Sequence, residues 1–152
     1  MITIRKTELE DINNIVNEFG IILMSRTDDI TTENTMILVE KDNVYGISSF
    51  ITNNDEAFIN ILFIKNDFRG MHFGDGLIKA ILNLIDKKSY KRAFIELPRE
   101  YEGFLINTGL YKENSKNKIM KKFNINLDKN SVIYFANLPN FFDTACKSKE
   151  KN

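Results

Sequence analysis

The sequence predicts an α/β chain of the α+β kind, with a mixed, mostly antiparallel central sheet of about six to seven strands flanked by about four helices. Three observations carry this. Three apolar, β-prone runs follow one another through short polar turns and predict an antiparallel meander. The stretch INILFIKNDFRGMHFGDGLIKAILNLI reads as a buried strand, a basic turn with glycines, and an amphipathic helix. A short helical segment then stops at Gly109 and is followed by a further extended run.

The elements follow in order. A first strand is expected over residues 2–6, with Ile2 and Ile4 pointing one way, and a first helix over residues 9–19. Thr7 and Glu10 have the spacing of a capping box, and Ile12, Ile15, Val16 and Phe19 fall on one helical face. Residues 20–35 are ambiguous: the apolar patch Ile21, Ile22, Leu23, Met24 suits a short helix over an acceptor site, and TDDITTEN suits a loop. The meander occupies residues 36–41, 44–52 and 57–64, turning at Asp42 and Asn43 and again at residues 53–55. The following helix spans residues 74–87 and buries Leu77, Ile78, Ile81, Leu84 and Ile85. Asp75 in its first turn and Lys87 and Lys88 at its end suit the helix dipole. A strand at residues 92–97 is stopped by Pro98, and the strand, helix and strand together predict a parallel, right-handed crossover. A helix over residues 100–107 and two more strands, 111–123 and 132–137, complete the sheet.

Length and composition frame the function. At 152 residues the chain is expected to form a single domain, 1–140, followed by a partly disordered tail, 141–152, rich in lysine beyond Cys146. A lone cysteine cannot bridge within the chain, and without a signal peptide or an apolar run of about 18 residues the expected location is cytoplasmic. Lysine plus arginine and aspartate plus glutamate number 21 each, so no global field advertises nucleic acid or an anionic membrane. The basic cluster between Lys112 and Lys122 reads as the solvated face of a strand. No metal-ligand spacing is seen.

The glycine turn is the chemical signal. A helix start leaves backbone N–H groups unpaired and carries about half a positive charge, so an anion docks there. Gly70, Gly74 and Gly76 permit close approach, and Arg69 adds a planar charged fork. A nucleoside-triphosphate loop would need Lys and then Ser or Thr after its last glycine, but Leu77 and Ile78 follow Gly76. A dinucleotide fingerprint starting at Gly74 would need glycine where Lys79 stands.

The remaining pattern, Arg69 followed by Gly74 at the sixth place, resembles the Gln/Arg-x-x-Gly-x-Gly/Ala signature of the GCN5-related N-acetyltransferase superfamily, with His72 where that family usually has glycine. MITIRKTELEDINNIV resembles the family's opening strand and helix, and FLINTGLYK its late helix and return to the sheet, so the resemblance covers residues 1–137. It implies the acyl-CoA N-acyltransferase fold and acetyl-CoA as co-substrate. The pantetheine arm would lie along the fourth strand where it splays from the fifth, so Leu62, Phe63, Ile64, Arg69, Gly70, Met71, His72, Phe73, Gly74 and Asp75 are the implied cofactor-binding residues.

The resemblance also implies a reaction. A small-molecule or protein amine would attack the thioester directly, with backbone N–H groups near Phe63 and Ile64 polarising the carbonyl. An alkyl ammonium with a pKa near 10.4 is neutral in about one molecule in ~2,500 at pH 7, so a base or water chain would help. Relatives often place a tyrosine, as the acid for the departing thiolate, where this chain has Leu105, and a glutamate where it has Ile61, beside Asn60. Tyr101, one turn before Leu105, is the candidate catalytic residue; the alternative is that it packs at the helix start. Glu40, Glu56 and Glu96 read as solvated strand-end carboxylates. His72 serves either as a phosphate donor and pH-sensitive gate or as a loop residue that binds through its N–H. Phe141 and Phe142 suit tail packing or, with Ile21 to Met24, an apolar pocket or dimer face, and the expected assembly is a monomer or homodimer. The competing function is a degenerate relative that binds acyl-CoA as a sensor without transferring it.

Overall fold

A computed structural model describes residues 1–23, 28–70, 72–126, 128–138 and 141–142. Seven strands and four α-helices follow one another among these residues: β1 Thr3–Lys6, α1 Leu9–Leu23, β2 Thr35–Glu40, β3 Asn43–Asn53, β4 Glu56–Ile64, α2 Phe73–Lys87, β5 Arg92–Pro98, α3 Glu102–Thr108, β6 Tyr111–Lys112, α4 Lys116–Lys122 and β7 Ser131–Asn137. The strands form a sheet in the order β1-β2-β3-β4-β5-β7-β6. The pairs β1 with β2, β2 with β3, β5 with β7 and β6 with β7 are antiparallel. This is the mixed, mostly antiparallel sheet that the sequence predicts. The chain packs as two compact units, Met1–Ile51 with Ile59–Leu84, and Thr52–Phe58 with the described residues from Ile85 onward.

The first unit is organised by a helix on a meander. Ile15, Phe19 and Leu23 recur at four-residue spacing along α1 and pack with Ile30, Ile37, Val39, Val44, Ile47 and Ile61, while Ile12 and Phe63 lean on the same cluster. Two expectations are corrected here. Val16 is 43 % exposed and lies off the buried stripe. The helix runs to Leu23, so the apolar patch after Gly20 begins as a continuation of α1 instead of a separate helix. The side chains of Ile21 and Ile22, and all of Met24, lie outside the described residues.

The start of α1 is not the expected capping box either. Thr7 Oγ1 donates to the carbonyls of Thr35 and Thr31, at 3.3 and 3.4 Å, and Thr7 N–H also donates to Thr35. The cap comes from Asp11, whose Oδ2 accepts from the Glu8 N–H at 2.7 Å. The same carboxylate takes both arms of the Arg5 guanidinium, at 2.7 and 3.0 Å, which ties β1 to α1. Arg5 donation holds the Asp11 carboxyl below the usual aspartate range, against the opposing effect of burial. On α2 the buried residues are Leu77, Ile78, Ile81, Leu82, Leu84 and Ile85.

The second unit has an aromatic interior. Phe94, buried on β5, stands opposite Phe135 of β7, and Phe135 in turn stands opposite the exposed Tyr111 of β6. Phe123 packs against Phe58 and Phe94, with ring centroids 5.3 and 6.1 Å apart. The strand expected over residues 111–123 is corrected: only Tyr111–Lys112 is extended, and Lys116–Lys122 is helical. Ile119, Met120 and Phe123, all buried, sit at helical spacing, and Asn53 Nδ2 donates to the Lys122 carbonyl at the helix end at 2.9 Å. The helix expected over 100–107 begins as a 3-10 turn, Arg99–Tyr101, and continues as α3. Gly109, at φ 97°, ends it as predicted, with N–H groups of Gly109 and Leu110 donating to Ile106 and Leu105.

Replacing Asp11 by alanine removes a helix cap and one side of a bidentate ion pair, and is expected to cost about 2 kcal/mol in urea unfolding at neutral pH. Because the folded carboxyl titrates lower than the unfolded one, the ionic part of this stability is present above pH ~4 and is lost as pH falls through the folded value. A wild-type to variant gap that stayed constant down to pH 2 would contradict the assignment.

Candidate anion-binding turn and active site

The turn after β4 is built stepwise from its backbone. Lys65 N–H still pairs with the Tyr45 carbonyl of β3 at 2.9 Å, and a single 3-10 turn, Asn66–Phe68, then reverses the chain. Arg69 is extended, at φ −75° and ψ 147°. Gly70 and His72 are both left-handed, at φ 81° and 65°. The second value is uncommon for a residue with a side chain, though histidine is among those that tolerate it. Met71, between them, lies outside the described residues. Helix α2 begins at Phe73, and Gly76 N–H makes a helical bond to the His72 carbonyl at 3.2 Å. The N–H groups of Phe73, Gly74 and Asp75 therefore precede every intrahelical acceptor and point out of the helix start. Asp75 would oppose an anion there, but its carboxylate is paired with Lys79 at 2.9 Å.

Aromatic rings and cations brace this turn. Phe68 stacks on Tyr45 with centroids 4.1 Å apart and packs near Phe73 at 6.1 Å. Arg69 Nε donates to the Ile64 carbonyl at 2.8 Å, and the guanidinium stands 5.5 Å from the Phe63 ring. The arginine of the signature is thus anchored to the end of β4. Lys65 pairs with Glu18 of α1 and lies over the rings of Phe19 and Tyr45, at 5.3 and 5.7 Å. Phe19 in turn meets Phe63 edge-on at 5.7 Å. Leu62 and Phe63 are half-buried and Ile64 is buried, so the strand end keeps partly open side chains beside the turn.

Gly46 explains how β3 lets β4 come so close. A Cβ at this position would stand 3.2 Å from the Phe63 carbonyl oxygen and 3.2 Å from Leu38 Cβ. Both are tighter than ordinary contacts, and one is backbone.

The structure also locates the residues considered for proton transfer. Leu105 and Ile61, at 0 % and 1 % exposure, are core side chains. Tyr101 is 41 % exposed at the junction of the 3-10 turn and α3. Its neighbour Glu102 accepts from the Tyr134 hydroxyl at 2.8 Å and pairs with Lys112 at 3.2 Å. These partners hold the Glu102 carboxyl below its ordinary range, while burial and the same bond push the Tyr134 phenol up. Sequence reasoning did not single out this network, since its members are far apart in the chain. Glu56 and Glu96 are not freely solvated edges: Glu56 pairs with Lys122 and Arg92, and Glu96 accepts from Ser131 Oγ at 2.5 Å. Glu40 pairs with the amino terminus at 3.5 Å. Cys146 lies outside the described residues. Among the described residues no group of three or more His, Cys, Asp or Glu side chains could hold a metal ion, and no helix is long and apolar enough to cross a membrane.

Glycine replacements at two places should separate the roles of space and backbone. Gly46→Ala must displace the β4 backbone at Phe63 and is expected to cost about 1–3 kcal/mol in denaturant unfolding. Gly76→Ala meets only the terminal methyl of Ile4, at 3.1 Å, and should cost less than ~1 kcal/mol. Equal losses at both positions would contradict the close approach of β3 to β4.

No family model matches the sequence, and no curated protein matches it. Solved structures do match in fold. An acetyltransferase of the GNAT family from Staphylococcus aureus is 13 % identical, with a TM-score of 0.71 over 91 % of this chain and 99 % of that one. The ribosomal-protein-S18-alanine N-acetyltransferase of Escherichia coli is 12 % identical, with a TM-score of 0.66 over 91 % and 94 % of the two chains. An N-acetyltransferase of Thermoplasma acidophilum solved in complex with coenzyme A is 13 % identical, with a TM-score of 0.63 over 90 % and 99 %.

Proposed function

We propose that this chain, which has the fold of the GCN5-related N-acetyltransferases, is itself an acetyl-CoA-dependent N-acetyltransferase acting on a primary amine. The observation that carries the reading is the start of α2, where the N–H groups of Phe73, Gly74 and Asp75 follow left-handed Gly70 and His72. Fixed amides at a helix start, with the guanidinium of Arg69 anchored in the turn that leads to it, suit the pyrophosphate of coenzyme A. His72 contributes here through its backbone, since its left-handed conformation is what aims the chain into the helix. Leu62, Phe63 and Ile64 of β4 would hold the pantetheine arm.

The chemistry asked of the protein is modest. The neutral amine attacks the thioester carbon, the carbon to sulfur bond breaks, and the amine proton leaves to solvent or a base. Negative charge developing on the carbonyl oxygen would be met by N–H groups at the end of β4. The thiolate takes a proton, for which the half-exposed phenol of Tyr101 is the candidate donor. Positioning accounts for most of the acceleration in this scheme. We take residues 1–140 as one catalytic domain working in the cytoplasm, with a small-molecule or protein amine as acceptor.

Leu105 and Ile61 favour a second reading, in which acyl-CoA is bound and not consumed. Both sites where a proton-transfer group would be looked for are filled by core side chains. The two readings part on one assay. In the transferase reading, thiol is released from acetyl-CoA only when a suitable amine from a broad panel is present; in the other, no amine gives release above background. Both require binding. Acetyl-CoA at a hundred times its Kd should stabilise the chain by about 2.7 kcal/mol in thermal unfolding. Gly74→Leu should abolish that shift, and an undiminished shift in this variant would overturn the pyrophosphate assignment.

A further inference from the structure

Tyr101, the candidate proton donor, sits at a helix start that carries no ordinary cap. It is the residue before α3, at φ −96° and ψ 9°, and its side chain makes no capping bond. Among the described residues its hydroxyl has no hydrogen-bond partner. A short helix left this way frays at its first turn. Here the chain is fastened on either side of Tyr101 instead. Two residues before it, the Arg99 N–H donates to the Asn130 carbonyl at 2.9 Å, directly beyond the pairing of Pro98 with Ser131. One residue after it, the Glu102 carboxylate accepts from the Tyr134 hydroxyl at 2.8 Å.

The second fastening is built from the sheet. Tyr134 is 3 % exposed on β7, so its hydroxyl needs a partner inside the protein. Phenylalanine would fill the same space without that demand. Lys112 stands opposite Tyr134 across β6 and β7 and pairs with the same carboxylate oxygen at 3.2 Å. Two donors from adjacent strands thus converge on one oxygen of the residue that follows Tyr101, and they fix the backbone from which the phenol projects. Tyr101 itself is 41 % exposed, so packing alone holds its ring weakly.

We infer that Tyr134 and Glu102 are positioning residues for the transfer, holding the start of α3 so that the Tyr101 phenol keeps one place from which to protonate the departing thiolate. This deepens the transferase reading and rests on it, including its assignment of Tyr101. It adds no chemical step: the proton still passes from Tyr101 to sulfur, and the Tyr134 proton and the Glu102 charge stay where they are.

The test uses the full chain, acetyl-CoA and whichever amine of the panel releases thiol fastest. Tyr134→Phe removes one oxygen atom and should lower kcat about tenfold. The KM for the amine and the calorimetric affinity for acetyl-CoA should stay within about twofold of wild type, a split that general loosening of the fold would not give. Glu102→Leu should match that loss of kcat, whereas Glu102→Gln, whose amide oxygen can still accept from Tyr134, should stay within about twofold of wild type. The decisive comparison is the double variant. Tyr101→Phe should lower kcat about a hundredfold, and adding Tyr134→Phe to it should cost nothing further, because the group being positioned is gone. An equal loss from Tyr134→Phe in both backgrounds, an unchanged kcat in Tyr134→Phe, or a fall in acetyl-CoA affinity that matches the fall in kcat would overturn the inference and leave the transferase reading standing. A kcat unaffected by Tyr101→Phe would remove the donor and the inference with it. If no amine of the panel releases thiol from acetyl-CoA, the transferase reading fails, and this inference falls too.

Discussion

An α-helix cannot pair its own first N–H groups, and the first unit depends on where that constraint falls. Helix α2 starts at Phe73, directly beyond the turn that leaves β4. The donors of Phe73, Gly74 and Asp75 are consequently concentrated at one point of the chain. Their direction is set by Gly70 and His72, which turn the backbone through left-handed conformations before the helix begins. The rest of the neighbourhood keeps this start fixed: the Tyr45 and Phe68 stack behind it, Arg69 bonded to Ile64, and Lys65 held between Glu18 and two rings.

The same constraint explains which departures from the family pattern the turn can accept. A backbone donor does not depend on the side chain, so His72 can stand in place of glycine once its φ is supported. Leu105 and Ile61 are a different matter, because a proton-transfer group acts through its side chain. Here those side chains belong to the core, and any acid or base must come from an exposed neighbour. Tyr101, which is exposed, is the group proposed for that role.

The sequence was most readable where structure is set locally. Alternating apolar residues and polar turns at Asp42 and at residues 53–55 placed the meander, and Gly109 announced a helix end that the structure realises at φ 97°. Misreadings came where a distant partner decides. Thr7 and Glu10 have the capping-box spacing, but Thr7 is drawn to the carbonyl of Thr35, and Asp11 caps the helix because Arg5 holds it there. Val16 fits the helical stripe as well as Leu23 does, and only the position of the meander beneath α1 selects between them. The lysines from Lys112 to Lys122 suggested alternation. Phe58 and Phe94, remote in sequence, supply the apolar surface that lets Ile119, Met120 and Phe123 pack as a helix. The glycine turn was legible as a sharp entry into a helix because its geometry is local, whereas the fastening of residues 29–35 through Asn34 depends on Phe50 of β3.

The central claim is that coenzyme A is recognised through backbone N–H groups at the start of α2. Its most direct measurement is a titration of coenzyme A into isotopically labelled protein, followed by amide nuclear magnetic resonance. The amides of Phe73, Gly74 and Asp75 should show the largest shifts, moving together along one saturable curve, with those of Phe63 and Ile64 following as the pantetheine arm seats. Saturable binding that leaves the Phe73, Gly74 and Asp75 amides unmoved would contradict the account.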